Sequence, residues 1–402
     1  MRSLLLALLL PAAAQAGPLT GLDGPRDADG TPADHVVPQP LPADAPYAPS
    51  VYKAAADLKM SRDFIHGVSE GLELLYHRRY REMRAWFAEL QQVFPGTAVA
   101  PMGDLLAWQA LMLENFDYRF DAQYQAASQL ARTELAAAQA QPGHEVWEEI
   151  LLAVVVGIEA IHDARRSRYL GALRLAFEAI DHVEKARALA PTFVDLQLAD
   201  GLYNFWRTVL TEQSKVLPTF GSRKEEGLLQ IRKVIDEGVF LSAMARFALA
   251  ISWLEEEDHA KARDELLANF KRYPDNIINT MLLGMTLVYM DKHEAGLDLF
   301  DQVLRVEPRA RRVHYYRAVA LQELGRLDEA VTALQTYLAF DAMEPYQRGG
   351  AHFRLGQIRM RQQRWDEAEV QLREAVRIHD GGRAKEALDR IRRMRKEGRI
   401  PG

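Results

Sequence analysis

The feature that most constrains this chain is a period of 34 residues in its second half. Ala250, Gly284 and Ala318 stand 34 apart, as do Ala262, Gly296 and Ala330, and Pro274 and Pro308 keep the same interval. A fourth small pair, Gly356 and Ala368, follows after 38, and the members of every pair are 12 residues apart. A fixed period of this length marks stacked helical hairpins, each unable to bury its apolar face without a neighbour. Close packing explains the small residues. One near the middle of a first helix, facing another on the second, lets two backbones approach. A proline past the second helix stops it before the next hairpin begins.

The segments that carry the period are ALAISWLEEEDHAKARDELLANFKRYP, LLGMTLVYMDKHEAGLDLFDQVLRVEP, RAVALQELGRLDEAVTALQTYLAFD and RLGQIRMRQQRWDEAEVQLREAVRI. They resemble the tetratricopeptide repeat family, here of a bacterial exported type. The third copy departs from the pattern by delaying its proline to Pro345, and the fourth carries Asp380 there. The resemblance implies an all-α fold, an α-α superhelix built as a right-handed solenoid of helical hairpins. It covers residues 241–382 as four repeats.

Met1–Ala16 has the form of a secretory signal peptide: Arg2, an apolar run Leu4–Leu10, and the small-x-small site Ala14-Gln15-Ala16. The apolar run is too short to span a membrane. Cleavage after Ala16 predicts a mature protein in the periplasm, or secreted, with no integral membrane segment. The chain has no cysteine, hence neither disulfides nor a lipid-bearing N-terminal cysteine. Residues 17–50 hold eight prolines, five aspartates and one arginine, which reads as a Pro-rich disordered linker. Within it, DADG lacks the first and last acids of a calcium loop.

Residues 51–240 repeat the hairpin theme irregularly. Gly71, Met83, Phe87 and Pro95 fit one hairpin; Gly157 with Ala179, Val183, Ala186 and Pro191 fits a longer one. Gly201 pairs with Gly227 across the loop KVLPTFGS, and residues 103–141 supply a hairpin without clear register. Asp291 with Glu294 reads as a capping box. Gly325 reads as a left-handed helix end, with Asp328 and Glu329 at the next helix's positive pole. Residues 383–402 carry eight basic and three acidic side chains and form a basic capping helix or tail. The formal charge is −6, five of the acids lying in the linker, which argues against nucleic acid as a partner.

Catalytic chemistry is hard to assemble from these residues. Gly67-Val68-Ser69-Glu70-Gly71 spells G-x-S-x-G, but the flanking sequence has helical spacing and no preceding strand. The histidines form no H-E-x-x-H pair, and thiolate ligands are absent, so neither a metal nor another cofactor is expected. The chain is therefore read as non-enzymatic.

The family resemblance places first-helix residues on a concave groove. In this sequence those are Phe205, Trp206, Phe247, Met281, Met285, Tyr289, Arg312, Tyr315, Tyr316, Phe353, Arg354 and Arg361. A variant of the family grips a C-terminal carboxylate with lysine and asparagine at positions that here hold Phe247 and Ile251, Met281 and Met285, Tyr315 and Val319; that mode does not fit. Two readings of the apolar groove stay open: burial by N-terminal helices, or a site for an apolar peptide or helix. The function expected first is a periplasmic scaffold or adaptor joining envelope proteins. A small-molecule-binding accessory of a transporter, with a closed apolar cavity, comes second, and a hydrolase third.

Overall fold

The computed structural model describes residues 47–401, apart from 116, 139–142, 167, 214–220, 341, 342, 344, 380 and 381. The expected signal peptide, most of the linker, most of the KVLPTFGS loop and Asp380 lie outside the described residues. Among the described residues the fold is all-α: eighteen α-helices, one short 3-10 turn and no strand. No helix among them is long and apolar enough to cross a membrane.

Two compact units divide the described residues, one comprising residues 47–114 and Tyr118–Asn279, the other Asn115, Asp117 and the residues from Thr280 on. The first contains α1 (Pro49–Leu58), α2 (Arg62–Tyr76), α3 (Tyr80–Val93), α4 (Val99–Asn115), α5 (Asp121–Ala138), α6 (Glu145–Arg165) and α7 (Tyr169–Leu189). It continues with α8 (Gln197–Gln213), α9 (Lys224–Glu237), α10 (Ser242–Glu255) and α11 (His259–Arg272). The division falls within α12 (Ile277–Tyr289), so the expected block 241–382 straddles it. The second unit holds α13 (His293–Val306), α14 (Arg311–Glu323), α15 (Leu327–Leu338), α16 (Pro345–Arg361), α17 (Trp365–Ile378) and α18 (Gly382–Lys396). Within each unit helices pack mainly on their sequence neighbours, as in a repeat array.

The 34-residue period has a backbone counterpart at the hairpin turns. Glu257, Asp291, Gly325 and Gln363 all have positive φ, at 59°, 59°, 76° and 59°. They follow one another at 34, 34 and 38 residues, the intervals of the small pairs. Each turn closes with the same bond: the next residue's N–H reaches the carbonyl five residues back. The pairs are Asp258 to Trp253, Lys292 to Leu287, Arg326 to Leu321 and Arg364 to Arg359, each at 2.9 Å. Such left-handed caps satisfy helix-end carbonyls that would otherwise be orphaned. Only Gly325 carries the residue type that makes the cap visible in sequence. Asp291 is therefore the left-handed residue and not the capping-box member expected. The helix after it has Lys292 at its N-cap, with no side-chain cap bond. Asp328 and Glu329 do occupy the first turn of α15.

The small pairs sit where helices touch. Ala250, Ala262, Ala318, Ala330 and Ala368 are fully buried. A Cβ added to Gly284 would lie 2.7 Å from Phe300 Cε1 and 3.2 Å from the Gly296 carbonyl oxygen. The irregular half repeats this at Gly201, whose added Cβ would lie 2.7 Å from the Gly227 carbonyl oxygen. Gly71 likewise faces the Phe87 ring, as its hairpin required.

Four expectations change. Gly157 has no atom within 4 Å of an added Cβ, so it marks no helix crossing; α6 and α7 meet instead through Val156, Ala160 and Leu175. The hairpin assigned to 103–141 begins earlier, at Val99. Pro345 does not close a helix but opens α16, where its missing N–H costs nothing. Pro49 and Ser50, assigned to the linker, begin α1. At the other end, α18 packs Ala384, Leu388 and Ile391 against Ala368, Leu372 and Ala375 of α17, so the basic segment closes the last hairpin's core.

Candidate functional site

Burial sorts the proposed groove residues. In the first unit Phe205 is wholly buried against the α9 backbone at Gly227, so it holds a hairpin together and faces no solvent. Trp206 meets Phe205 edge-on, with centroids 5.4 Å apart, and both Trp206 and Phe247 are half-buried. In the second unit Met281 and Met285 are buried with Leu282, Leu283 and Val288. The methionine-rich surface expected from sequence is core, because these positions turn into the packing of adjacent helices. Phe353 also leaves the groove: it packs beside the α17–α18 core, with the Arg383 guanidinium 5.9 Å from its ring centre.

What remains is a cluster of tyrosines and arginines on α12, α14 and α16. Tyr316 is buried, stacked on Phe300 at 6.3 Å and edge-on to Tyr315 at 5.6 Å. Tyr315 is half-buried and lies 5.3 Å from the Tyr337 ring of α15. Tyr289 is half-buried beside both; burial first, then Tyr316 and Tyr315, pushes its phenol well above the ordinary tyrosine value. The Tyr289 phenol is therefore held in its neutral form. The period explains the convergence: Tyr289 and Tyr315 lie on first helices of successive hairpins.

The arginines are laid over these rings. Arg312 Nη2 donates to the Tyr316 hydroxyl at 3.1 Å. Arg354 sits 5.6 Å from the Tyr315 ring centre, its Nε donates to the Tyr315 hydroxyl at 3.4 Å, and its Nη1 donates to Gln322 Oε1 at 3.1 Å. Arg361, exposed at the end of α16, donates to the Gln322 carbonyl at 2.8 Å and approaches Glu323 at 3.4 Å. Among the described residues, no carboxylate lies within ion-pair distance of Arg354. Its charge is held by a phenol and an amide, which orient it without neutralising it.

Gln322 is the residue that sequence reasoning passed over. It is buried at the C-terminal end of α14, and its two partners lie 32 and 39 residues on, about one repeat away. A buried glutamine one repeat before two arginines was the available signal. Ser69 has a plain role: its hydroxyl donates to the Ile65 carbonyl inside α2 at 3.1 Å. A hollow of about 230 Å³ among α15, α16 and α17 is lined by Gln335, Leu355, Arg359 and Val370, and none of the twelve groove residues borders it.

Comparison with known proteins agrees on the repeat. No curated protein matches the sequence. Among solved structures, a pilF protein of Pseudomonas aeruginosa is 14% identical, with a TM-score of 0.44 over 59% of this chain and 97% of its own. YrrB, described as a TPR protein with an unusual peptide-binding site, is 16% identical with a TM-score of 0.39, over 52% and 97%. MamA from Desulfovibrio magneticus RS-1 is 16% identical with a TM-score of 0.37, over 45% and 94%. The tetratricopeptide repeat family model matches residues 281–345, the stretch bearing Tyr289, Arg312, Tyr315, Tyr316 and Gln322. The match to the tetratricopeptide repeat is thus confined to residues 281–345, and it runs through the tyrosine and arginine cluster of the second unit.

Proposed function

We propose that the second unit captures an acidic, aromatic-bearing peptide segment of another protein, and that the chain acts as a non-enzymatic scaffold. Tetratricopeptide repeats are interaction modules, which gives the class. The observation that carries the finer reading is Arg354: an oriented guanidinium with no carboxylate partner among the described residues, set between half-buried Tyr315 and buried Gln322. A peptide carboxylate would complete the charge, and the tyrosine faces would take an apolar or aromatic side chain beside it.

The test is an array of acidic peptides containing Tyr, Phe or Leu, set beside copies with Gln for every Glu. Tyr289→Ala and Tyr315→Ala should each weaken capture by about 1–2 kcal/mol, as central anchors do. Arg354→Ala should abolish the preference for acidic over neutral peptides. Thermal melts accompany each variant. Unchanged melting with unchanged peptide preference in Arg354→Ala would overturn the site.

Location is part of the proposal. Leu4–Leu10 and Ala14-Gln15-Ala16 support export to the bacterial envelope, with Gly17 as the mature N-terminus. N-terminal sequencing of protein from the envelope fraction should read from Gly17; a sequence still starting at Met1 would remove the envelope from the reading.

A further inference from the structure

We infer that the tip of the α6–α7 hairpin in the first unit is a docking surface for an anionic phospholipid membrane. The hairpin is overlong. Its helices run 21 residues each, against 13 to 14 in α10 through α14. Only the C-terminal half of α7 joins the large core of this unit, through Val183, Ala186 and the following Ala190. The N-terminal half is held by a small separate core of Val156, Ala160 and Leu175, with Ala176 and Ala179. The extra turns thus add little to the main core, and they carry exposed apolar side chains.

Leu170 is 86% exposed, Phe177 57%, Leu173 54% and Tyr169 50%. Leu170, Leu173 and Phe177 follow the spacing of one helical face, opposite the face that packs on α6. An apolar stripe along one exposed helix face marks an interaction site, where scattered exposed leucines would not. Tyr169 adds the amphipathic ring that suits the level of lipid headgroups.

Charge selects the occupant. Arg174 lies on the same face, exposed, with no carboxylate within ion-pair distance among the described residues. Arg168 flanks the stripe at the N-cap of α7 with its side chain 58% exposed, meeting Asp163 only at 3.5 Å. The neighbouring Arg166 is paired with Asp121 at 2.6 Å, and Arg165 is buried. A second copy of the hairpin would set like-charged arginines together around the stripe. An anionic headgroup layer complements them while the leucines and Phe177 enter the acyl boundary, as amphipathic interfacial helices do. Such docking is peripheral and needs no membrane-spanning helix.

The test is co-flotation of the full chain with vesicles of equal parts phosphatidylglycerol and phosphatidylcholine, and with phosphatidylcholine alone. The wild type should float with the anionic vesicles and lose most binding at high salt. Leu170→Asp combined with Phe177→Asp should cut the bound fraction at least about tenfold. Because every variant shares the rest of the chain, any lipid contact elsewhere cancels in the comparison. Arg168→Gln with Arg174→Gln should narrow the gap between the two vesicle types. Sedimentation velocity and melting run beside flotation. Equal flotation of wild type and the double aspartate variant would overturn the proposal. So would a wild type that floats with neither vesicle, whether it sediments as a monomer or as a dimer that Phe177→Asp dissociates.

Discussion

Gly284→Leu is expected to lower the stability of the protein by about 3 kcal/mol, the upper end of ordinary overpacking. The first added atom would already sit 2.7 Å from Phe300 Cε1 and 3.2 Å from the Gly296 carbonyl oxygen. Phe300 is fully buried and stacked on Tyr316, so it has no empty space to retreat into. The opposing helix offers its backbone, which cannot change rotamer. Relief must therefore come from separating α12 and α13, which exposes the apolar contacts that the glycine pair made possible. Glu256→Leu is the control. Glu256 lies on the exposed turn after α10 and gives up only its 2.8 Å ion pair with Lys224, a loss of about 1 kcal/mol or less. Urea midpoints with unchanged slopes would make the comparison. Equal losses at the two positions would mean that Gly284 is not at a helix contact.

That contact was legible in the sequence because a period writes the same requirement four times. Small residues 12 apart, with turn signals between, specify where two helices touch. The pattern faded where a single element departed from it. Gly157 sits in an apolar run at a plausible interval, yet α6 and α7 are long enough to meet elsewhere, and the glycine carries no contact. The turns were half-legible. Gly325 announces a left-handed residue, whereas Glu257, Asp291 and Gln363 adopt the same conformation without a side chain that favours it. There the closing backbone bonds and flanking packing, not propensity, hold the turn.

The candidate site was legible only in part for a related reason. Helical periodicity gives the face a residue occupies on its own helix, but not how deeply the neighbouring helices cover that face. Met281, Met285 and Phe205 share that face with Tyr289 and Tyr315, yet they end in core. Polar partners across repeats are less visible still. Gln322 and Arg354 meet through a single hydrogen bond at 3.1 Å that no short motif encodes. In the first unit the buried Asp195 carboxylate accepts the backbone N–H groups of Val239, Phe240 and Leu241, which leaves no trace in the spacing of side chains.

The largest loss is expected at a residue whose local backbone argues the opposite way. Arg78 sits in the left-handed region after α2, at φ 62°, where glycine is at ease and a side chain costs about 1 kcal/mol. On backbone grounds alone, Arg78→Gly should stabilise the protein. The side chain decides otherwise. Arg78 Nε and Nη2 donate to the two Glu114 oxygens at 2.8 and 3.1 Å, and the Tyr80 hydroxyl donates to the same carboxylate at 2.7 Å. The Arg78 and Glu114 side chains are 5% and 1% exposed, so neither charge can be returned to water without opening the fold. Burial also lifts the Tyr80 phenol well above its ordinary value, which keeps that proton available as a donor. Removing the guanidinium leaves an uncompensated buried carboxylate, a loss of about 3–5 kcal/mol that outweighs the relief of the turn. Glu114→Gln should fall in the same range, since it removes the carboxylate charge that faces the buried guanidinium. The double change Arg78→Gly with Glu114→Gln should cost clearly less than the sum of the singles, because no charge then remains buried at this position. A stabilised Arg78→Gly, or strict additivity across the cycle, would show that the turn and not the ion pair governs this part of the first unit.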